Sequence, residues 1–149
     1  TGLGADLALS CDFIVASDEA TFAWSYVLRG LIPDGGGMYF LPRRVGLSKA
    51  KQLIFSGKTI SAQEAERIGV ADLLAPAENL LTEARKLALE FIGGSPAAIA
   101  LGKSILNKSF ELDAETIFAQ GSQAQAICYT TGEHQQSITA FLNKTQRGR

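Results

Sequence analysis

Gly30-Leu31-Ile32-Pro33-Asp34-Gly35-Gly36-Gly37, standing downstream of Gly2-Leu3-Gly4-Ala5-Asp6-Leu7-Ala8-Leu9-Ser10-Cys11-Asp12, decides the reading of this chain. Each stretch is a glycine-rich turn beside a carboxylate. Glycine lets the backbone bend sharply, so such turns can bring main-chain N–H groups and an acid up to a reacting carbonyl. A helix entered through Gly2-Leu3-Gly4 presents unpaired N–H groups and the positive end of its dipole, suited to a phosphate or a developing oxyanion. The same residues equally make a tight strand-to-helix turn. Asp34, between Pro33 and three glycines, is likewise either a turn aspartate or an acid/base.

Outward from these turns, residues 5–10 read as a short buried helix, 12–17 as a strand and 21–24 as a second strand. A loop through Gly30 and Pro33 should enter a helix near Gly35 that ends before Pro42. Ala50, Leu53 and Ile54 share one helical face, with Gly57 at the C-terminal cap. Ser61-Ala62-Gln63-Glu64 is a capping-box sequence for a helix stopping at Gly69, and 70–74 reads as a last strand. Beyond Pro76 the pattern is helical: about 78–92, then a helix capped by Ser95-Pro96 to about 110, one capped by Asp113 to about 129, and 133–144. The expected division is an α/β part over residues 1–75 and a helical part over 76–149.

The 149 residues, 46% hydrophobic and 19% charged, suffice for an ordinary globular core. Fourteen Lys+Arg against fifteen Asp+Glu leave a net charge of -1, which points to neither nucleic acid nor a cationic partner. Cys11 and Cys128 lack metal or redox spacing and read as free thiols, which suits a cytoplasmic protein. No apolar run approaches the ~20 residues of a membrane span. His134, the single histidine, has no triad or metal partners near it in sequence. The abrupt start at Thr1, already inside a turn, suggests an amino-terminal portion before it.

In their order and separation, the two glycine-rich segments resemble the enoyl-CoA hydratase/isomerase (crotonase) family over essentially the whole chain. The resemblance implies an α/β fold: the second half of a crotonase-like spiral of ββα units in residues 1–75, then a helical trimerisation region in 76–149. It implies an acyl-CoA substrate, with coenzyme A as part of the substrate and no further cofactor or metal. It also implies a homo-oligomer, a trimer or dimer of trimers.

By the same resemblance, the middle residue of the first turn, here Leu3, donates its N–H to the thioester oxygen, with Gly4 beside it. Hydratases of the family hold and activate water with two Glu residues, whose positions here are Asp6 and Tyr26. An Asp is one methylene shorter, and a tyrosine with an ordinary pKa of about 10 is no base at neutral pH. Isomerases of the family place a carboxylate at the Asp34 position over the acyl chain, so the expected reaction is isomerisation. Asp34 would shuttle the proton and Asp6 would assist it or cap the helix. Trp24 and Tyr26 are candidates to line the acyl pocket, although Trp24 suits an aromatic core position equally well. Aryl-CoA dehalogenases of the superfamily carry a nucleophilic Asp at the Asp34 position but Trp where this chain has Tyr26. Phe141 and Lys144 match positions that meet the CoA adenosine and phosphates from a neighbouring subunit, and an amphipathic terminal helix explains them equally. The alternatives are an enoyl-CoA hydratase using Asp6 and, in a different class, a non-catalytic CoA-binding or scaffold protein.

Overall fold

A computed structural model describes residues 1–147. The chain divides into two compact units, Thr1–Leu87 and the residues from Ala88 onward. The first unit contains helix α1 (Leu3–Leu9), strands β1 (Val15–Ser17) and β2 (Thr21–Phe22), a 3₁₀ turn (Ser25–Arg29) and helices α2 (Gly37–Val45) and α3 (Leu47–Ser56). It continues through β3 (Ile60–Ser61), α4 (Ala62–Arg67) and β4 (Leu73–Ala75), followed by the start of α5 (Leu80–Leu89). β1 pairs with β4 in parallel, Val15 opposite Leu73, and β2 pairs antiparallel with β3, Phe22 opposite Ile60. Mixed short strands and helices give the expected α/β class.

Hydrogen bonding explains where the element boundaries depart from the sequence pattern. The strand expected over 12–17 pairs only from Val15, because the Ile14 N–H donates to the Asp72 carboxylate at 2.7 Å while Asp72 N–H donates to Ile14 O at 2.8 Å. The strand expected over 21–24 stops at Phe22, since Ala23 O accepts from the Gly2 N–H at 2.9 Å and Trp24 turns into the 3₁₀ segment. The strand expected over 70–74 starts three residues late: the Val70 and Ala71 N–H groups both return to Ala65 O and finish the turn after α4.

Proline did not end α2, which runs on through Pro42 to Val45. Pro42 lacks the N–H that would bond to Met38 O, so the helix continues with one bond fewer at that turn. Ser61 caps α4 by accepting from Glu64 N–H, but the Glu64 carboxylate is taken by Arg67 at 2.7 and 2.8 Å and does not return to complete the capping box.

Trp24, Leu41, Leu53 and Val70 are fully buried and gather α2, α3 and the β1–β4 pair around one core, with Ala5 and Leu9 packed from α1. Arg44, in the last turn of α2, fastens this unit from its edge. It donates to Cys11 O and Asp12 O at 3.1 Å each, to Val70 O at 3.4 Å and to the Asp72 carboxylate at 3.1 Å. The end of α2 is therefore tied to the end of α1 and to the approach to β4.

The second unit holds the end of α5, then α6 (Pro96–Leu106), α7 (Ala114–Tyr129) and α8 (Gly132–Arg147). Ser95 and Asp113 cap α6 and α7 as their sequence predicts, accepting from the Ala98 and Thr116 N–H groups. α5 is shorter than expected because the Phe91, Ile92 and Gly94 N–H groups bond three residues back, tightening the chain ahead of Ser95. No described residue from Ala88 onward is buried, and Phe91, Ile99, Phe118, Ile127, Ile138 and Phe141 are all exposed apolar side chains. Among the described residues no helix is long and apolar enough to cross a membrane.

Leu41 and Lys51 calibrate the first unit. Leu41→Ala empties a fully buried position and should lower unfolding free energy by about 2–5 kcal/mol. Lys51→Ala, on an exposed face of α3, should stay within about 0.5 kcal/mol of the parent. Urea denaturation of the two variants beside the parent measures both.

Candidate active site

Gly2 and the glycines before α2 bring the two sequence segments together. Gly2 has φ 55° and ψ −128°, a left-handed turn that a side chain would strain, and it opens α1 directly. The Leu3 N–H, first in the helix, lies outside the intrahelical ladder, whereas the flanking Gly2 and Gly4 N–H groups donate to Ala23 O and Thr1 O. The Leu3 side chain is 65% exposed and lies over Gly35, where an added Cβ would come within 2.4 Å of Leu3 Cδ1. A residue bulkier than glycine at the middle of the first turn is thus accommodated by the absence of a side chain at Gly35.

Asp6, one turn into α1, has no exposed surface and is the one fully buried acid among the described residues. Its Oδ1 accepts from Trp24 Nε1 at 3.0 Å; its Oδ2 accepts from the Tyr26 hydroxyl at 2.9 Å and from the Gly35 N–H at 3.3 Å. Burying a carboxylate is costly unless donors replace its water, and three donors converge here. Glycine makes the room: a Cβ on Gly37 would sit 2.1 Å from Asp6 Oδ1, and one on Gly35 would sit 3.0 Å from Oδ2.

Trp24 is wholly buried, with its ring in the core and its N–H on Asp6. Tyr26 is half buried, and its hydroxyl lies 3.9 Å from the position a Gly2 Cβ would take, against the first glycine turn. Burial, the hydrogen bond to Asp6 and the charges of Asp6 and Asp34 push the Tyr26 hydroxyl up from 10.0 to about 12. Tyr26 is therefore a neutral phenol at physiological pH, with its proton directed at Asp6. Asp34 follows the buried Pro33 and is exposed, and its charge is felt at Tyr26.

Gly2, Leu3, Asp6, Tyr26, Gly35 and Gly37 thus form one contiguous patch, although they span three stretches of sequence, and the exposed Asp34 next to Gly35 acts on Tyr26 by its charge. Gly4 is exposed at the start of α1. Phe141 is exposed on α8, and the Lys144 side chain lies outside the described residues. The carboxylate shell was not foreseen. Nothing in the sequence pairs Trp24 and Gly35 with Asp6, although glycines at both 35 and 37 are a signal that something occupies their Cβ space.

The family described as Enoyl-CoA hydratase/isomerase matches residues 1–148. The chain is 36% identical over 143 residues to the short-chain-enoyl-CoA hydratase of Clostridium acetobutylicum, covering 96% of this chain and 55% of that protein. It is 35% identical, with the same coverage, to the crotonyl-CoA hydratase of Syntrophomonas wolfei. Among solved structures, the enoyl-CoA hydratase/isomerase of Cupriavidus metallidurans CH34 superposes with a TM-score of 0.89 at 39% identity, over 96% of this chain and 54% of that one. The chain spans about half the length of the curated relatives it matches.

Two measurements probe the shell around Asp6. Gly37→Ala forces a methyl group onto a buried, hydrogen-bonded carboxylate and should cost about 1–3 kcal/mol of stability, read by urea denaturation. Tyr26 supplies a pH signature. Its folded pKa exceeds the unfolded value, so its contribution is complete below pH 10.0 and is lost as pH rises through about 12. The stability gap between the parent and Tyr26→Phe should therefore narrow across that window, and a gap constant in pH would contradict the assignment.

Proposed function

The chain belongs to the enoyl-CoA hydratase/isomerase family, and we propose that the protein adds water across the double bond of an enoyl-CoA thioester. The observation that carries the reading is a division between two acids: Asp6 is buried and held by three donors, while Asp34, beside Gly35 in the chain, is exposed and its charge reaches Tyr26. A group that takes and returns a proton must reach the substrate, and Asp34 meets that condition where Asp6 does not. Hydration is preferred over the isomerisation expected from the sequence because the relatives named above are hydratases.

In the proposed reaction the water oxygen adds to the β-carbon while its proton passes to Asp34. The displaced electron pair moves onto the thioester oxygen, which accepts a hydrogen bond from the Leu3 N–H. Collapse of this enolate takes the proton from Asp34 at the α-carbon and completes a 3-hydroxyacyl-CoA. Coenzyme A enters as part of the substrate, and the chemistry calls for no other cofactor or metal. Isomerisation is the second reading, favoured by Tyr26 standing where an acid would help activate water. It uses Asp34 alone, removing a proton from one carbon of the acyl chain and returning it to another.

The exposed apolar side chains of the second unit support a homo-oligomer built on trimers, since contiguous apolar surface is more stable between subunits than in water. In such an assembly the family resemblance implies that Phe141 and Lys144 meet the CoA bound by a neighbouring subunit.

The whole protein should hydrate a 2-enoyl-CoA faster than it converts a 3-enoyl-CoA, followed by loss of thioester-conjugated absorbance. The reverse order selects isomerisation. Asp34→Asn should lower turnover by about 10²–10⁴ with CoA binding preserved. Absence of both reactions in the parent would favour the scaffold alternative. Sedimentation at working concentration should give a trimer or a multiple of it, and a monomer would contradict the assembly.

A further inference from the structure

We infer that Asp6 is a positioning residue that fixes the Tyr26 hydroxyl as a pure hydrogen-bond acceptor, and that Tyr26 thereby recognises the β-hydroxyl of a 3-hydroxyacyl-CoA. The substrate class rests on the hydration reading; the acceptor role of Tyr26 rests on geometry alone. A phenol has one proton and two lone pairs. Its proton is committed to Asp6 Oδ2 at 2.9 Å. Asp6 cannot turn to release it, because Trp24 Nε1 holds Oδ1 at 3.0 Å, the Gly35 N–H reaches Oδ2 at 3.3 Å, and the space beside Oδ1 is closed by Gly37.

Trp24 N–H and the Gly35 N–H can only donate, so both carboxylate oxygens are fixed as acceptors, and the phenol between them and the open side is fixed as the donor. What remains on Tyr26 Oη is lone-pair density. The Tyr26 side chain is half buried, and its Oη stands against Gly2, beside the turn that carries the Leu3 N–H. A ligand group meeting it must donate a hydrogen bond. An acyl chain anchored at Leu3 places its β-substituent within a few bonds of that anchor, and the β-hydroxyl of the hydrated product is a donor of the required kind. A saturated or 2-enoyl chain has none and leaves Oη facing carbon. The water that adds in the forward direction is the same oxygen, so one contact serves both directions.

The shorter acid is what makes this possible. One methylene longer, the side chain would extend past the Trp24 and Gly35 donors, and its place between Gly35 and Gly37 is already filled to 2.1 Å of a Cβ position.

3-Hydroxybutyryl-CoA and butyryl-CoA, which both keep the thioester carbonyl that meets Leu3, test the inference by calorimetry on the whole protein carrying Asp34→Asn, in which turnover is too slow to alter the hydroxylated ligand during the titration. This Asp34→Asn protein should bind the hydroxylated thioester about 3–10-fold more tightly, the range of one net hydrogen bond. Adding Tyr26→Phe should bring that ratio to about one while affinity for butyryl-CoA stays within about twofold. Adding Asp6→Asn instead should lower the ratio as far, and adding both no further, because Asp6 acts only through Tyr26. Asp6→Asn should also move the Tyr26 phenol, followed by ultraviolet titration, down from about 12. A ratio near one before Tyr26 is changed, or a ratio retained with Tyr26→Phe, overturns the inference even if the parent protein hydrates enoyl-CoA. Discrimination between the two thioesters, with a parent that hydrates nothing, overturns the hydration reading and leaves the acceptor in place. Tyr26→Phe, which keeps the ring, decides the matter should Asp6→Asn fail to fold.

Discussion

A carboxylate with no exposed surface, Asp6, sets the terms for everything around it. Removing such a group from water costs several kcal/mol unless donors take the place of solvent, and the first unit is arranged so that they do. The indole N–H comes from the residue just ahead of the 3₁₀ turn, the phenol from that turn, and the amide from the loop entering α2. Two donors come from residues 24 and 26 and the third from residue 35, so the position of Asp6 couples α1, the residues after β2 and the glycine-rich loop. Gly35 and Gly37 complete the arrangement by leaving open the volume that the carboxylate occupies.

α2 is held at both ends by polar ties of this kind. At its start the Gly35 N–H meets Asp6 on α1; at its finish Arg44 reaches two carbonyls after α1 and both the carboxylate and a neighbouring carbonyl ahead of β4. Between the ties, Leu41 is buried without residue of exposure. The helix that carries the glycine-rich loop therefore cannot slide along α1 without breaking hydrogen bonds at one end or the other. Such restraint is what a site needs when its donors are main-chain N–H groups, whose direction is set by the backbone alone.

Much of this was legible in the sequence, and the failures share a cause. The glycine-rich turns, the helix caps at Ser61, Ser95 and Asp113, and the αL glycine at 57 are local signals with local mechanisms, and all appear. Strand ends were misjudged where a partner distant in sequence took a backbone group: the Asp72 carboxylate accepts from the Ile14 N–H, and the Gly2 N–H donates to Ala23 O. Pro42 was read as a stop because proline alone is a strong local signal, whereas packing of Leu41 outweighs one missing hydrogen bond. At the site, the types of residue were visible and their pairing was not. Trp24 and Tyr26 are two apart, a spacing that on a strand faces one side, but neither lies on a strand, and both meet the same carboxylate where the chain coils from Trp24 into the 3₁₀ segment that holds Tyr26.

The two acids differ in placement and in burial. Asp6 lies within a helix after a glycine turn and has no exposed surface, whereas Asp34 stands in an exposed loop. A carboxylate surrounded by three donors has most of its acceptor capacity spent within the protein, and one with no accessible surface exchanges protons with a ligand only if its shell opens. Asp34 has neither constraint, and its field reaches the phenol that Asp6 orients. Burial of the phenol, its hydrogen bond to Asp6 and the charges of Asp6 and Asp34 together hold its proton to about pH 12. That proton is committed to Asp6, so its oxygen, rather than its proton, is what the phenol can offer to a ligand.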